Sequence, residues 1–317
     1  MTAKPRYRVR YSDNMGPTFD IPTQSTAKTA HLLPFLPNVL ERVAPERAPK
    51  LEMYSEVVVQ VVDAEKPAMY AMPGQKVIIL STRTIDLVWA MTYAHWSFYT
   101  RYLVGTMPSG TTADLTMIPA LNSTRALLSW ARSEMQLPSG SLWPNNLPHP
   151  VARSTFSPMD EATDERVVDE LTFLAIAFML HHELAHIYTS PGIKEYSIDH
   201  ERACDLAASE WIFGERAAEG DRATEKRAIG SAVALLFIAS LDLTRTTTPK
   251  SHPIGVERLV DVLDTWIDES RESVWALVCG ILALHATDAG VSIPQIEYPN
   301  FREATIAYRD AVRARLN

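Results

Sequence analysis

Cysteine, glycine and clustered positive charge are all scarce in this chain. Its two cysteines, Cys204 and Cys279, cannot make a disulfide framework, and no Cys-x-x-Cys spacing is present, which excludes a stapled secreted domain or a zinc ribbon. Each reads as a small buried apolar group, and a reducing, cytoplasmic compartment is the expectation. Twelve glycines in 317 residues leave no Gly-rich phosphate cradle, and no Gly-x-Ser-x-Gly elbow occurs, so nucleotide binding and serine-hydrolase chemistry lack a motif. The net charge of −8, with no cluster of Lys and Arg, excludes a phosphate-backbone binder, and no nucleic-acid partner is expected. No apolar segment follows the basic residues at the start, which argues against a signal peptide. The most apolar runs, residues 171–180, 229–241 and 274–284, fall short of the roughly 20 residues that span a bilayer. They read as core helices, and no membrane partner is expected.

What is present is a 46% apolar content, enough for a substantial core. Residues 1–50 are rich in Pro, Thr and Arg and read as a leader of unclear structure, with one strand near residues 7–11. Residues 51–160 read as a small sheet plus helices and a Pro-rich connection. A β-branched run at 56–62 and the run Lys-Val-Ile-Ile-Leu at 76–80 are separated by the turn signal Met72-Pro73-Gly74. Trp89, Tyr93, Trp96, Tyr99 and Leu103 recur at helical spacing, predicting a helix over 85–103 whose aromatic stripe packs in the core. A second helix is predicted from Pro119 to Met135. Five prolines between 136 and 160 exclude a helix there, so this stretch reads as a loop over a cleft, used in substrate recognition or gating. From Asp164, taken as an N-cap, helices are predicted near 165–189, 199–217, 222–243, 253–268, 271–287 and 300–315, with a stop at Pro191-Gly192. Strands first and helices after make the class α+β, predominantly helical.

The chemistry sits at the end of the most apolar predicted helix, in His182-Glu183-Leu184-Ala185-His186. Residues four apart on a helix share a face with Cβ atoms about 5–6 Å apart, so both imidazoles can reach one metal ion while Glu183 lies beside its water. Burying these groups without a partner or a metal would be costly. Fifteen residues on, Glu201 and Asp205 share a face of the next helix and offer a third metal ligand and a carboxylate to hold a ligand histidine's other nitrogen. Ser251-His252-Pro253 and Arg258 follow at a loop-to-helix junction; His252 either enters the cleft or caps the helix, and Arg258 either serves the reaction or bridges to an acid such as Asp205. Three protein ligands leave a fourth position for water, whose proton Glu183 can accept, and His252 or Arg258 can donate to the charge developing on the scissile carbonyl. His181 and His200 are expected to face away from the cluster, behind the ligands or toward solvent, and His31, His95, His149 and His285 show no partner pattern.

The ordered set His-Glu-Leu-Ala-His, Glu-x-x-x-Asp and Ser-His-Pro-x-x-x-x-Arg resembles the gluzincin metallopeptidases. In size and motif order it is similar to the phage-exclusion peptidase Lit family, over about residues 163–263. That resemblance implies a zincin-like catalytic region at 161–317, one Zn2+ per chain on His182, His186 and Glu201, Glu183 as general base, Asp205 behind the ligands and His252 near the oxyanion. It further implies a protein or peptide substrate, a translation elongation factor cut inside the bacterial cell during phage infection. Restraint of such an enzyme would call for an activating partner or a conditional substrate state. The competing readings are a non-catalytic or regulatory zinc-binding protein acting through a partner, in which Glu183 is dispensable, and an enzyme for small amides.

Overall fold

The computed structural model describes residues 6–10, 16–103, 121–136, 142–152, 163–189, 197–214, 222–242, 252–291 and 298–316. The Pro191-Gly192 stop, Ser251, the helix start at Pro119 and much of the Pro-rich stretch at 136–160 lie outside these residues.

Five strands, β1 Arg6–Arg10, β2 Thr18–Pro22, β3 Val58–Val62, β4 Met69–Met72 and β5 Val77–Ser81, form one sheet in the order β1-β2-β3-β5-β4. The two β-branched runs, β3 and β5, make its parallel centre, with Val59 opposite Ile78 and Val61 opposite Leu80, all four buried. β-Branched side chains suit such a covered pleat. β1 and β4 close the two sides in antiparallel pairing. β2 and β4 carry no such run and were not expected: β2 is Thr-Phe-Asp-Ile-Pro, held by buried Phe19 and Ile21, and β4 is Met-Tyr-Ala-Met. Much of the leader is therefore ordered, with 3-10 turns and the short α1 Val39–Val43 packing Leu32, Leu36 and Leu40 into the core.

The expected helices follow as α2 Thr82–Phe98, α3 Asn122–Gln136, α4 Asp164–Thr189, α5 Ile198–Phe213, α6 Arg222–Asp242, α7 Gly255–Trp266, α8 Glu272–Asp288 and α9 Phe301–Leu316. The α+β, mainly helical class is thus as predicted. The Ser81 hydroxyl caps α2 by accepting from the Thr84 amide at 3.1 Å. Thr163, rather than Asp164, precedes the first turn of α4, its hydroxyl accepting from the Arg166 amide at 3.3 Å. Trp143 packs at a tilt against Trp89 and Trp130, with ring centroids 5.8 and 4.8 Å away, and pins the middle of the Pro-rich stretch to α2 and α3.

The run at 171–180 is the middle of α4, whose 26 residues are long and apolar enough to cross a membrane; 83% of its most apolar 18-residue window is buried among the other elements. A helix apolar on all sides needs partners on all sides, and α4 has them in α1, α2, α5, α6 and β4. Its crossing with α6 is close because Gly230 faces Leu174: a Cβ at position 230 would sit 2.2 Å from the Leu174 Cβ. Gly230→Ala therefore destabilises the fold by about 1–3 kcal/mol through overpacking, despite alanine's better helix propensity. A urea midpoint equal to or above wild type would contradict this packing.

Candidate active site

The motif occupies the last turns of α4, and the helical repeat turns His182 and His186 to one side. α5 restarts the chain with Ser197 as its cap, the hydroxyl accepting from the His200 amide at 3.2 Å. That start sets Glu201 and Asp205 one turn apart against the α4 histidines. His182 Nε2 lies 3.0 Å from His186 Nε2. The Glu201 carboxylate stands 3.4 Å from His182 Nε2 and 3.5 Å from His186 Nε2, and all three residues are buried. A tetrahedral ion with zinc-like bonds of about 2.0–2.1 Å spaces its ligand atoms about 3.3–3.4 Å apart. The triangle has that size, and two imidazoles with a carboxylate are a donor set that zinc accepts. Among the described residues the carboxylates of Glu183, Glu201 and Asp205 gather here with one guanidinium, that of Arg258, an acidic surrounding that suits a cation.

Behind the triangle, His182 Nδ1 lies 2.9 Å from Asp205 Oδ1. Asp205 is gripped by Arg258 through two bonds of 2.6 and 2.7 Å from Nε and Nη2. Arg258 is buried, so its bridge to an acidic neighbour is the arrangement observed. Burial opposes the charge on Asp205, yet Arg258 and His182 hold its carboxyl down at about 2. Burial likewise opposes charge on His182, but Asp205 and Glu201 raise it to about 9. The carboxylates thus draw positive charge onto this nitrogen cluster.

His186 has a second set of neighbours on its other ring nitrogen. Its Nδ1 is 2.9 Å from His200 Nε2 and 3.4 Å from the Cys204 sulfur. Of the two positions expected for His200, it takes the one behind a ligand rather than the one toward solvent, and it orients the His186 ring. The overlooked signal was its four-residue spacing to Cys204, which puts both on the face of α5 that meets α4. Burial and the nearby Glu201 push the Cys204 thiol up to about 12, so it is no thiolate nucleophile despite its histidine neighbours.

Glu183, half-buried, projects into a cleft of about 430 Å³ whose wall includes Met69, Tyr70 and Ala71 of β4, Phe178, and His252. Burial raises its pKa, partly offset by His182 and by a bond from the Ala71 amide. β4 pairs with β5 on one side, and this outward amide shows that its other side faces the cleft. His252 is 52% exposed, with Nε2 3.6 Å from Glu201 Oε1. The residue before α7 is Ile254, and no side chain caps that helix, so His252 is not the cap.

Four of the remaining histidines, His31, His95, His181 and His285, have neighbours elsewhere. His181 is buried and stacks on Trp211 at 4.7 Å, away from the triangle. His31 lies 3.5 Å from Asp169, and His95 Nε2 is 2.9 Å from His285 Nε2; neither pairing was legible as a pattern.

A family model described as Peptidase U49 matches residues 78–278. The chain is 29% identical over 203 residues to the "Cell death peptidase" of Escherichia coli (strain K12), a match covering 63% of this chain and 66% of that relative, just under two thirds of its length. No solved structure matches the chain.

Proposed function

The chain belongs to the Peptidase U49 family, and from that premise we propose that it is a zinc-dependent endopeptidase with His182, His186 and Glu201 as ligands and Glu183 as general base. The observation that carries this reading is the metal-sized triangle with a half-buried carboxylate beside it in an open cleft. Zinc, when bound, supplies Lewis acidity that lowers the pKa of a water to about 7 and polarises a carbonyl.

The chain's own residues do the rest. The Asp205–Arg258 pair fixes the His182 ring through Nδ1, leaving Nε2 for the ion. Glu183 takes a proton from the attacking water and returns it to the leaving amine; its burial, by raising its pKa, makes it the better base. The cleft side of β4 offers backbone groups along which an extended peptide can lie as an added strand, with the scissile bond brought beside Glu183. His252, also in the cleft lining, donates to the charge developing on the carbonyl oxygen.

His252→Phe is expected to lower kcat by about 10²–10³-fold, with KM and zinc content little changed; an unaltered rate would remove His252 from the reaction. The substrate we propose is an intracellular bacterial protein, a translation elongation factor, by extension of the family resemblance and in keeping with a relative described as a cell death peptidase. Incubating a bacterial extract with wild type and with Glu183→Gln, then identifying new protein termini by mass spectrometry, tests this. New termini in a translation factor with wild type alone are expected. Cleavage confined to other proteins would refute the substrate, and identical termini with both would refute the enzyme.

A further inference from the structure

We propose that His186 Nδ1, His200 Nε2 and the Cys204 sulfur form a second metal site, for zinc, cadmium or another thiophilic ion, built on the back of the His186 ring. The three atoms lie 2.9, 3.4 and 3.6 Å apart. Bonds of about 2.0–2.1 Å to nitrogen and 2.3 Å to sulfur, in tetrahedral geometry, space two nitrogens about 3.3–3.4 Å apart and nitrogen from sulfur about 3.5 Å. The second triangle therefore matches an ion as closely as the first, and its softer donor set of two imidazoles and a sulfur selects thiophilic metals.

The construction is the same on both helices. α4 presents residues 182 and 186, α5 presents residues 200 and 204, each pair one helical turn apart, and the two faces meet at His186. Cys204 is fully buried, whereas His200 is partly exposed and gives an ion its way in. A His186 ring that offers Nε2 to the first ion carries its hydrogen on Nδ1, and Cys204 carries its own. A divalent ion entering the second site displaces both, so two protons leave as two metal bonds form. That exchange makes the second site weaker than the first. It also links the two, because an ion drawing on Nδ1 alters the donor strength of the same ring at Nε2. Excess metal would act on the first centre through one shared side chain.

The test is titration of the purified, metal-stripped full chain with cadmium, following the ultraviolet absorption of cadmium–thiolate bonds. Wild type is expected to develop that absorption as a second equivalent binds. Cys204→Ala should lose it, Cys279→Ala should keep it, and His200→Gln should weaken the binding that produces it by at least tenfold. Glu201→Ala should keep it while losing an equivalent of metal held without sulfur. Absence of the absorption in wild type, or its persistence in Cys204→Ala, overturns the proposal. A Glu201→Ala chain that loses no metal would instead count against the first site, so the two readings fail separately.

Discussion

Replacing Glu183 with glutamine lowers peptide hydrolysis by about 10²–10⁴-fold, the usual worth of a positioned general base, while zinc content and the unfolding midpoint stay at or above wild type. The amide has the shape of the carboxylate and can still accept from the Ala71 amide, so the cleft wall is undisturbed. What it lacks is basicity. Stability does not suffer, because Glu183 is a half-buried carboxylate in an acidic cluster, with burial and Glu201 both acting against its charge. The readout is kcat on the substrate found by mass spectrometry, with zinc measured on the same sample. Turnover within twofold of wild type would remove Glu183 from the mechanism and favour a regulatory zinc protein.

Acid is expected to cost the fold about 4 kcal/mol between pH 7 and pH 5 through one pair of side chains far from the motif. His95 at the end of α2 and His285 in α8 are fully enclosed, their Nε2 atoms 2.9 Å apart. Burial, with the positive charge of Arg132 on α3, lowers His95 from 6.5 to about 3 and His285 well below its ordinary value. Arg132 is itself tied to Asp288 at 3.2 Å. Both rings stay neutral in the native chain, whereas in the unfolded chain they take up protons below about pH 6.5. A base with a depressed native pKa gives stability that is complete above its unfolded pKa and is lost as pH falls through that value. Two such groups cost about 2.7 kcal/mol per pH unit. Denaturant unfolding across this range should show the loss in wild type and a curve flatter by about that amount in the His95→Gln/His285→Gln double variant. Parallel pH curves for the two proteins would contradict the account.

The two predictions differ in how far they could be read from sequence. The candidate cluster could be read almost whole because its spacing is helical: residues 182 and 186, then 201 and 205, fall on single faces whatever the rest of the fold does. The same holds for α2 to α9, whose apolar repeats and stops mark them individually. The short strands could not be read this way. β2 and β4 have no β-branched run, and they are strands because β3 and β5 lie beside them in the sheet. The role of Ala71 followed them out of view, since a backbone amide gains a function only from its place on an edge. The His95–His285 pair joins residues 190 apart in the chain, a contact that no local pattern announces. His200 and Cys204 are an intermediate case. Their four-residue spacing was present in the chain, but only the meeting of α4 and α5 shows that it points at His186.

The most direct test of the central claim is the zinc content of the purified chain after exhaustive dialysis, measured by elemental analysis for Cys204→Ala and for Cys204→Ala/Glu201→Ala, a background from which the proposed second site is missing. The account predicts close to one zinc per chain in the first protein and a near-complete loss in the second, with both still folded. Zinc retained in full without Glu201, or no zinc in either folded protein, would contradict it.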